Sequence, residues 1–204
     1  MPVQRTKLLD RNVHDRDARI FVVATEGSET EPQYFRGLQG RGIISRNRVK
    51  IEIVETTEGA SAPRRVIERL NLFAQDYLLT HDDELWLVID IDRWPERQLS
   101  EVAQEAMQRG YHLAVSNPCF ELWLLLHVSD PESNGMNCAA CAAALRRILG
   151  SYDKASLQMD AFARDGLTVA IGRARNLDTD PNDRWPQAMG TRVHRLVERL
   201  LSFA

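Results

Sequence analysis

Two short apolar runs that each precede a carboxylate constrain this chain more than any other feature of its sequence. Residues 20–24 are IFVVA and residues 85–89 are LWLVI, and both runs are rich in β-branched side chains. Continuous apolar runs of this length are typical of strands buried on both faces of a sheet. Glu26 follows shortly after the first run, and Asp90 and Asp92 follow the second. The sequence therefore predicts a buried sheet with carboxylates at the ends of two strands.

Strand-like and helix-like segments alternate through the first part of the chain. Two further strand-like segments cover residues 49–54 and 111–115, and helical patterns of about 10–17 residues separate the strands. Alternation of this kind indicates right-handed β-α-β units. Later segments have helical patterns, at residues 120–128, 139–149, 156–163, 168–176 and 191–203. We predict an α/β fold with about four, mostly parallel strands flanked by helices, and a helical C-terminal part.

We predict three parts in the chain: a polar N-terminal arm (1–18), an α/β core (19–128) and a helical extension packed on the core (129–204). A composition of 44% hydrophobic and 27% charged residues excludes a disordered chain. The sequence contains no apolar run long enough to span a membrane, and its N-terminus lacks the apolar segment of a signal peptide. We therefore expect a cytoplasmic protein that does not bind a membrane.

The net charge of −3 gives no overall signal for a nucleic-acid or membrane partner. Residues 139–204 are modestly basic, with ten Lys and Arg against seven Asp and Glu. That part of the chain fits a polyanion, and it fits a solvated helical surface equally well.

The carboxylates at the strand ends predict a metal site. In open α/β sheets, ligands bind outside the carboxyl ends of the strands. If the first and third strands are neighbours, Glu26, Asp90 and Asp92 lie close together, and three like charges cannot all ionise at neutral pH without a cation. Oxygen ligands of this kind favour Mg²⁺ or Mn²⁺. The alternative is that each carboxylate is an unrelated loop residue.

Other polar residues near the same edge allow two interpretations each. Glu121 is either a fourth acidic group of the site or a first-turn residue favoured by the helix dipole. Asn117 either binds a phosphate or shapes the turn before the helix. Glu31 lies in the first turn of a helix, which favours a structural role.

The chain has three cysteines, and two of them have the C-x-x-C spacing of redox and zinc sites. Cys138 and Cys141 lie in an alanine-rich helical segment without a second ligand pair, which favours two small buried residues. Cys119 is interpreted as a buried thiol. In a cytoplasmic protein these thiols are expected to be reduced.

Three segments resemble the RloB-like family of Toprim-domain proteins. They are VVATEGSETEPQYFRGL from residue 22, LWLVIDIDRWP from residue 85 and AVSNPCFELWLLLH from residue 114, the last being the most specific. Together they span roughly residues 20–127, and the segments around Tyr152, Lys154 and residues 191–197 fit the family less distinctively. Ile91 departs from the polar residue found in many relatives.

The resemblance implies a Toprim fold and a Mg²⁺-dependent nuclease centre. It implies Glu26 as general acid/base and Asp90 and Asp92 as metal ligands, and it favours a catalytic role for Lys154, which would neutralise substrate phosphates. Gly27 would let the backbone approach the substrate closely. Family members occur in bacterial phage-defence loci, commonly with an ATPase of the ABC or AAA type.

Our leading hypothesis is a metal-dependent phosphodiesterase acting on RNA (tRNA-like) or DNA, as the toxic effector of a phage-defence system controlled by a partner ATPase. The alternative is a non-catalytic binding or sensor subunit of an ATPase complex. Phosphatase and nucleotidyl-transfer activities use the same kind of metal centre, so they stay open. A homodimer is also left open by the sequence.

Overall fold

A five-stranded sheet flanked by helices forms the fold in the computed structural model, which describes residues 18–56, 62–77, 79–132, 135–162 and 164–203. The strands are β1 (Arg19–Thr25), β2 (Val49–Val54), β3 (Glu84–Asp90), β4 (His112–Asn117) and β5 (Gly190–Thr191). The helices are α1 (Thr30–Gly40), α2 (Pro63–Asp76), α3 (Glu96–Arg109), α4 (Phe120–Val128), α5 (Cys138–Leu149), α6 (Arg164–Leu177) and α7 (Val193–Leu201), with a 3₁₀ turn at Met159–Phe162. The predicted N-terminal arm lies outside the described residues except for its last position.

The strand order in the sheet is β2-β1-β3-β4-β5. The first four strands are parallel, and β5 pairs antiparallel with the end of β4. This arrangement confirms the predicted α/β fold with a mostly parallel sheet. The fifth strand was not predicted, because two residues are too few to produce a periodic pattern.

The buried residues form two clusters, one on each face of the sheet. In β1, Phe21 and Val23 point into one cluster, while Ile20, Val22 and Ala24 point into the other. Helices α2 and α3 cover one face, and α1 together with α4–α7 covers the other. Burial on both faces explains why the two strands that flank the site are continuous apolar runs.

Helix α4 is buried on nearly all sides, since every residue from Phe120 to His127 is buried. A helix that is apolar all round belongs in the interior of a protein. Glu121 is therefore an acidic residue in a core helix, and the position of its carboxylate has to be explained by specific partners.

Several helix boundaries differ from the sequence prediction. The helix predicted over 191–203 covers only Val193–Leu201, because Thr191 pairs with β4 as part of β5. The segment predicted as a helix over 156–163 is only a 3₁₀ turn at Met159–Phe162, with Ala163 outside the described residues. Helix α6 begins at Arg164, four residues before the predicted start. By contrast, α3 ends as predicted before Gly110, whose φ of 73° is a left-handed conformation that glycine adopts readily.

One apolar cluster contains residues of β1, α4, α5, α6 and α7. The C-terminal helices therefore share a core with the sheet. The predicted boundary at residue 128, between the α/β core and the helical extension, stays a prediction. No helix of the described chain is long and apolar enough to cross a membrane.

Candidate active site

The carboxyl ends of β1 and β3 open into an acidic pocket. The two strands are parallel neighbours in the sheet, with Thr25 paired to Val88, so the residues that follow them meet at one edge. The pocket has a volume of about 240 Å³. It is lined by six carboxylates (Glu26, Glu29, Glu31, Asp90, Asp92 and Glu121), two cationic side chains (Arg93 and Lys154), and Gly27, Ser28, Thr30, Cys119, Phe120 and Cys138. Acidic groups therefore outnumber basic groups by four.

Glu26 is buried, with 7% of its surface exposed. Its Oε2 accepts a hydrogen bond from the backbone N–H of Asp90 at 3.0 Å, and its Oε1 accepts one from the indole of Trp94 at 3.0 Å. Burial raises the pKa of Glu26 to about 7, although these two hydrogen bonds act in the opposite direction. A carboxyl group with this pKa exchanges its proton near neutral pH.

Asp90 ends β3 and lies next to the first residue of α4. Burial raises its pKa well above the ordinary value, and the negative charges of Glu31, Glu26 and Glu121 raise it further. The backbone N–H of Phe120 donates a hydrogen bond to the Asp90 carboxylate and partly offsets this effect. The N-terminus of a helix stabilises a nearby negative charge.

Asp92 lies two residues beyond the strand, at the mouth of the pocket. Its Oδ2 accepts a hydrogen bond from the thiol of Cys138 at 3.1 Å. The Nε of Arg93 lies 3.7 Å from the same oxygen. Asp92 thus contacts α5, an element that the sequence prediction did not connect with the site.

Glu121 and Lys154 form an ion pair at the pocket. The Nζ of Lys154 contacts Oε1 of Glu121, and the hydroxyl of Tyr152 donates to the same oxygen at 3.3 Å. Burial opposes ionisation of Glu121, but Lys154 holds its pKa below the ordinary value. Burial likewise opposes the charge of Lys154, and Glu121 outweighs it and raises the pKa of the lysine. Both groups are therefore charged at neutral pH.

Glu31 is also a pocket residue, although its position in α1 suggested only a structural role. Its Oε1 accepts a hydrogen bond from the backbone N–H of Gly27 at 3.0 Å. A Cβ atom added at Gly27 would lie 2.3 Å from Oε2 of Glu31. In this structure, the space beside Gly27 is thus needed by the Glu31 carboxylate. Burial raises the pKa of Glu31, and the charge of Glu121 adds to this effect.

The chemistry of these side chains fits a hard divalent cation, since carboxylate oxygens are its preferred ligands. The positions of these side chains, however, do not form a complete metal-binding site. No group of three or more His, Cys, Asp or Glu side chains is arranged to hold a metal ion within the ranges that the structure describes. Both oxygens of Glu26 already accept hydrogen bonds from the chain itself. Cation binding would therefore require at least one carboxylate to change its partners.

Comparison with known families identifies the chain. A family model described as RloB-like protein matches residues 21–200. The chain belongs to the RloB-like family. Searches of the curated proteins and of the solved structures each gave no significant match.

The RloB-like region contains every residue that lines the pocket, because the lining residues run from Glu26 to Lys154. The match extends the resemblance seen in the three sequence segments to the C-terminal helices. It therefore confirms the family suggested by those segments.

The predicted substrate-binding residue of the RloB-like chain, Asn117, has a different environment from the other site residues. Its Nδ2 donates to the carbonyl oxygens of Pro186 and Gln187, both at 3.1 Å. Asn117 is not among the residues that line the pocket. These contacts attach the segment before β5 to the end of β4, and a role in substrate binding stays a prediction.

Sequence analysis did not assign Glu31, Arg93 or Cys138 to the RloB-like pocket, nor did it identify Trp94 as a hydrogen-bond donor to Glu26. Arg93 and Trp94 directly follow the D-x-D triplet, and this proximity was the available signal. For Cys138 the C-x-x-C spacing was noted, but nothing in the sequence indicated its contact with Asp92. Thr30 also lines the pocket: its hydroxyl donates to the carbonyl of Lys154, and the N-cap position of α1 is Glu29.

Proposed function

We propose that this chain is a Mg²⁺- or Mn²⁺-dependent phosphodiesterase that cleaves RNA (tRNA-like) or DNA at the acidic pocket. One observation carries the proposal: six carboxylates and only two cationic side chains line one pocket at the carboxyl edge of a parallel sheet. Carboxylates held this close favour binding of a cation, because they cannot all ionise alone. The same edge is where open α/β sheets bind their ligands.

Asp90, Asp92 and Glu26 are the residues that would hold the cation. When bound, such a cation neutralises phosphate charge and lowers the pKa of a water molecule. The family resemblance implies Asp90 and Asp92 as ligands, and we add Glu26 because its carboxylate accepts a hydrogen bond from the Asp90 backbone N–H. This assignment requires Glu26 to exchange its contact with Trp94 or with the Asp90 backbone.

The chain's own side chains would supply the remaining chemistry. With a pKa near 7, Glu26 is able to hold and release a proton at neutral pH, as a general acid/base requires. Lys154 is 57% exposed and is oriented by Glu121, so its ammonium group is available to a substrate phosphate at the pocket rim. Arg93, which is 72% exposed, adds a second positive charge beside Asp92. Gly27 keeps its proposed role in close approach of the backbone to the substrate.

The biological setting of the proposal comes from the family resemblance. We infer a toxic effector in a phage-defence system, with its activity controlled by a partner ATPase of the ABC or AAA type. A homodimer remains compatible with this assignment.

Cleavage of purified tRNA, single-stranded DNA and duplex DNA tests the proposal, with and without Mg²⁺ or Mn²⁺. Wild type is expected to cleave at least one substrate only with metal, while Glu26→Gln and Asp92→Asn lose the activity. Glu101→Gln is the matched control, since this carboxylate lies on α3 and is 58% exposed in a pair with Arg97. Equal cleavage by wild type and Glu26→Gln, or cleavage without metal, would contradict the assignment.

A second candidate is a non-catalytic binding or sensor subunit. It is favoured by the hydrogen bonds that already occupy both oxygens of Glu26. In that case neither cation binding nor substrate turnover is expected at the pocket, and the chain would act only through its ATPase partner.

A further inference from the structure

Lys154 lies on an exposed turn between α5 and the 3₁₀ turn. The backbone N–H of Ser156 donates to the carbonyl of Asp153 at 3.2 Å, and the N–H of Ala155 donates to Oδ1 of Asp153 at 3.0 Å. All residues from Asp153 to Ser156 are exposed. An exposed turn has few apolar contacts that hold it in one place. The position of Lys154 therefore depends on hydrogen bonds between this turn and the rest of the chain.

The side chain of Gln33, on α1, supplies two such hydrogen bonds. Its Nε2 donates to the carbonyl oxygen of Lys154 at 3.0 Å, and its Oε1 accepts from the backbone N–H of Leu157 at 2.9 Å. One amide thus uses its donor and its acceptor on two backbone groups. The hydroxyl of Thr30 donates to the same carbonyl of Lys154 at the longer distance of 3.3 Å. Gln33 therefore attaches the turn to α1.

The two partners of the Lys154–Glu121 ion pair differ in how firmly they are held. Glu121 lies in the core helix α4, and its side chain is 5% exposed, whereas the side chain of Lys154 is 57% exposed. A lysine side chain is a flexible four-carbon stem. Formation of the pair therefore depends on where the turn holds the backbone of Lys154.

We propose that Gln33 is a positioning residue, which holds the turn so that the ammonium group of Lys154 stays paired with Glu121 at the rim of the acidic pocket. Gln33 is not among the residues that line the pocket, so it acts on a substrate only through Lys154. The benefit for binding of a substrate phosphate rests on the proposed function. The positioning of Lys154 itself does not.

Gln39 provides a matched control on the same helix. Its Nε2 donates to the carbonyl of Val49 at 2.7 Å, and its Oε1 accepts from the N–H of Ile51 at 3.3 Å. It makes the same kind of paired contact as Gln33, but with β2. Methionine has a length similar to that of glutamine and lacks the amide group, so Gln33→Met and Gln39→Met remove equivalent contacts.

Acylation of the lysine amines measures the positioning without any need for nuclease activity. The chain has three lysines, so peptide mass spectrometry follows each one separately during reaction with an acetyl N-hydroxysuccinimide ester near pH 8. An amine paired with a carboxylate keeps its proton and reacts slowly. Lys154 is therefore expected to react about threefold faster in Gln33→Met than in wild type, relative to Lys50.

Gln39→Met should leave the acylation rate of Lys154 at the wild-type value. An unchanged rate in Gln33→Met, or an equal increase in both methionine variants, would overturn the positioning role of Gln33.

Cleavage kinetics test the consequence for substrate binding. A phosphate contact that is equal in the ground state and the transition state contributes to KM alone, so Gln33→Met is expected to raise KM about fivefold at unchanged kcat. A partly unfolded variant would instead lower kcat at unchanged KM. In the Lys154→Met background, Gln33→Met should have no further effect.

The outcomes separate the two proposals. Absence of cleavage by wild type would count against the proposed function alone, because the acylation experiment does not depend on it. A lower kcat at unchanged KM, or full additivity of Gln33→Met and Lys154→Met, would overturn the action of Gln33 through Lys154.

Discussion

The protonation of Glu26 is controlled mainly by its burial and only secondarily by its neighbours. Burial raises the pKa of this carboxyl group, the hydrogen bonds from Asp90 and Trp94 lower it, and the charges of Glu31 and Asp92 raise it again. The result is a group that is half-protonated near pH 7 in the folded protein. An ordinary, exposed glutamate would be ionised at that pH.

This pKa makes the stability of the protein depend on pH. In the unfolded chain Glu26 loses its proton above its ordinary pKa of 4.5, whereas the folded protein keeps the proton up to about pH 7. The folded state thus binds more protons between these values, so the free energy of unfolding falls as pH rises through this window. The full change is roughly 3 kcal/mol for this one group.

We predict that Glu26→Gln has a flatter dependence of stability on pH than wild type. The neutral amide cannot ionise, so the variant should gain stability relative to wild type on going from about pH 5 to about pH 8. Urea unfolding at the two pH values measures this difference. Glu101→Gln, an exposed control, should follow wild type. Parallel pH curves for wild type and Glu26→Gln would show that Glu26 has an ordinary pKa.

We predict that Gly27→Ala destabilises the protein through Glu31. The new methyl group would displace the Glu31 carboxylate and break its hydrogen bond with the Gly27 N–H. A buried acceptor that loses its partner costs about 1–3 kcal/mol in the free energy of unfolding. Urea unfolding of the single variants and of the double variant with Glu31→Ala measures the coupling between the two positions.

In the Glu31→Ala background, Gly27→Ala should cost little, because the displaced carboxylate is absent. Gly40→Ala is the control, because Gly40 ends the helix that carries Glu31 and a Cβ there meets no atom within 4 Å. An equal cost of Gly27→Ala in both backgrounds would rule out the contact with Glu31 as the cause.

At the scale of secondary structure, the central strands were predictable and the short elements were not. The apolar residues of β1 and β3 reflect burial on both faces of the sheet, which is a strong local signal. By contrast, β5 has two residues, and its position depends on pairing with Ser116 and Asn117 far away in the chain. The 3₁₀ turn at Met159–Phe162 is similarly too short for its periodicity to be recognised.

A buried ion pair attaches β5 and α7 to the segment after α6. Arg192 and Asp178 expose only 2% and 5% of their side chains, and the guanidinium also donates to the carbonyl of Asp180 at 2.8 Å. Arg195 pairs with the same carboxylate at 2.7 Å but is 36% exposed. The two arginines therefore allow a comparison of a buried and a partly exposed partner of one acid.

We predict that Arg192→Met destabilises the protein by about 3 kcal/mol, since it leaves a buried carboxylate with a weaker partner. Arg195→Met should cost less than about 1 kcal/mol, because solvent screens the partly exposed pair. For a chain of this length the larger change lowers the unfolding temperature by about 6–12 °C. Thermal unfolding followed by circular dichroism distinguishes the two variants, and equal losses would contradict the burial argument.

At the scale of the whole molecule, the acidic edge was predictable because topology follows from local patterns. Parallel strands place their carboxyl ends at one edge, so Glu26, Asp90 and Asp92 were expected to be close once β1 and β3 were neighbours. Contacts between distant segments were not predictable. Cys138 reaches Asp92, and Lys154 reaches Glu121, only through the packing of α5 and the following loop.

We propose that this acidic pocket binds a divalent cation, and calorimetric titration with Mn²⁺ near pH 8 measures that binding. Wild type is expected to bind, because Glu26, with a pKa of about 7, is then ionised and adds its negative charge to the site. Asp90→Asn and Asp92→Asn should each weaken binding by at least about tenfold, while Glu101→Gln binds like wild type. Absence of binding to wild type, or equal affinity in all four proteins, would contradict the account.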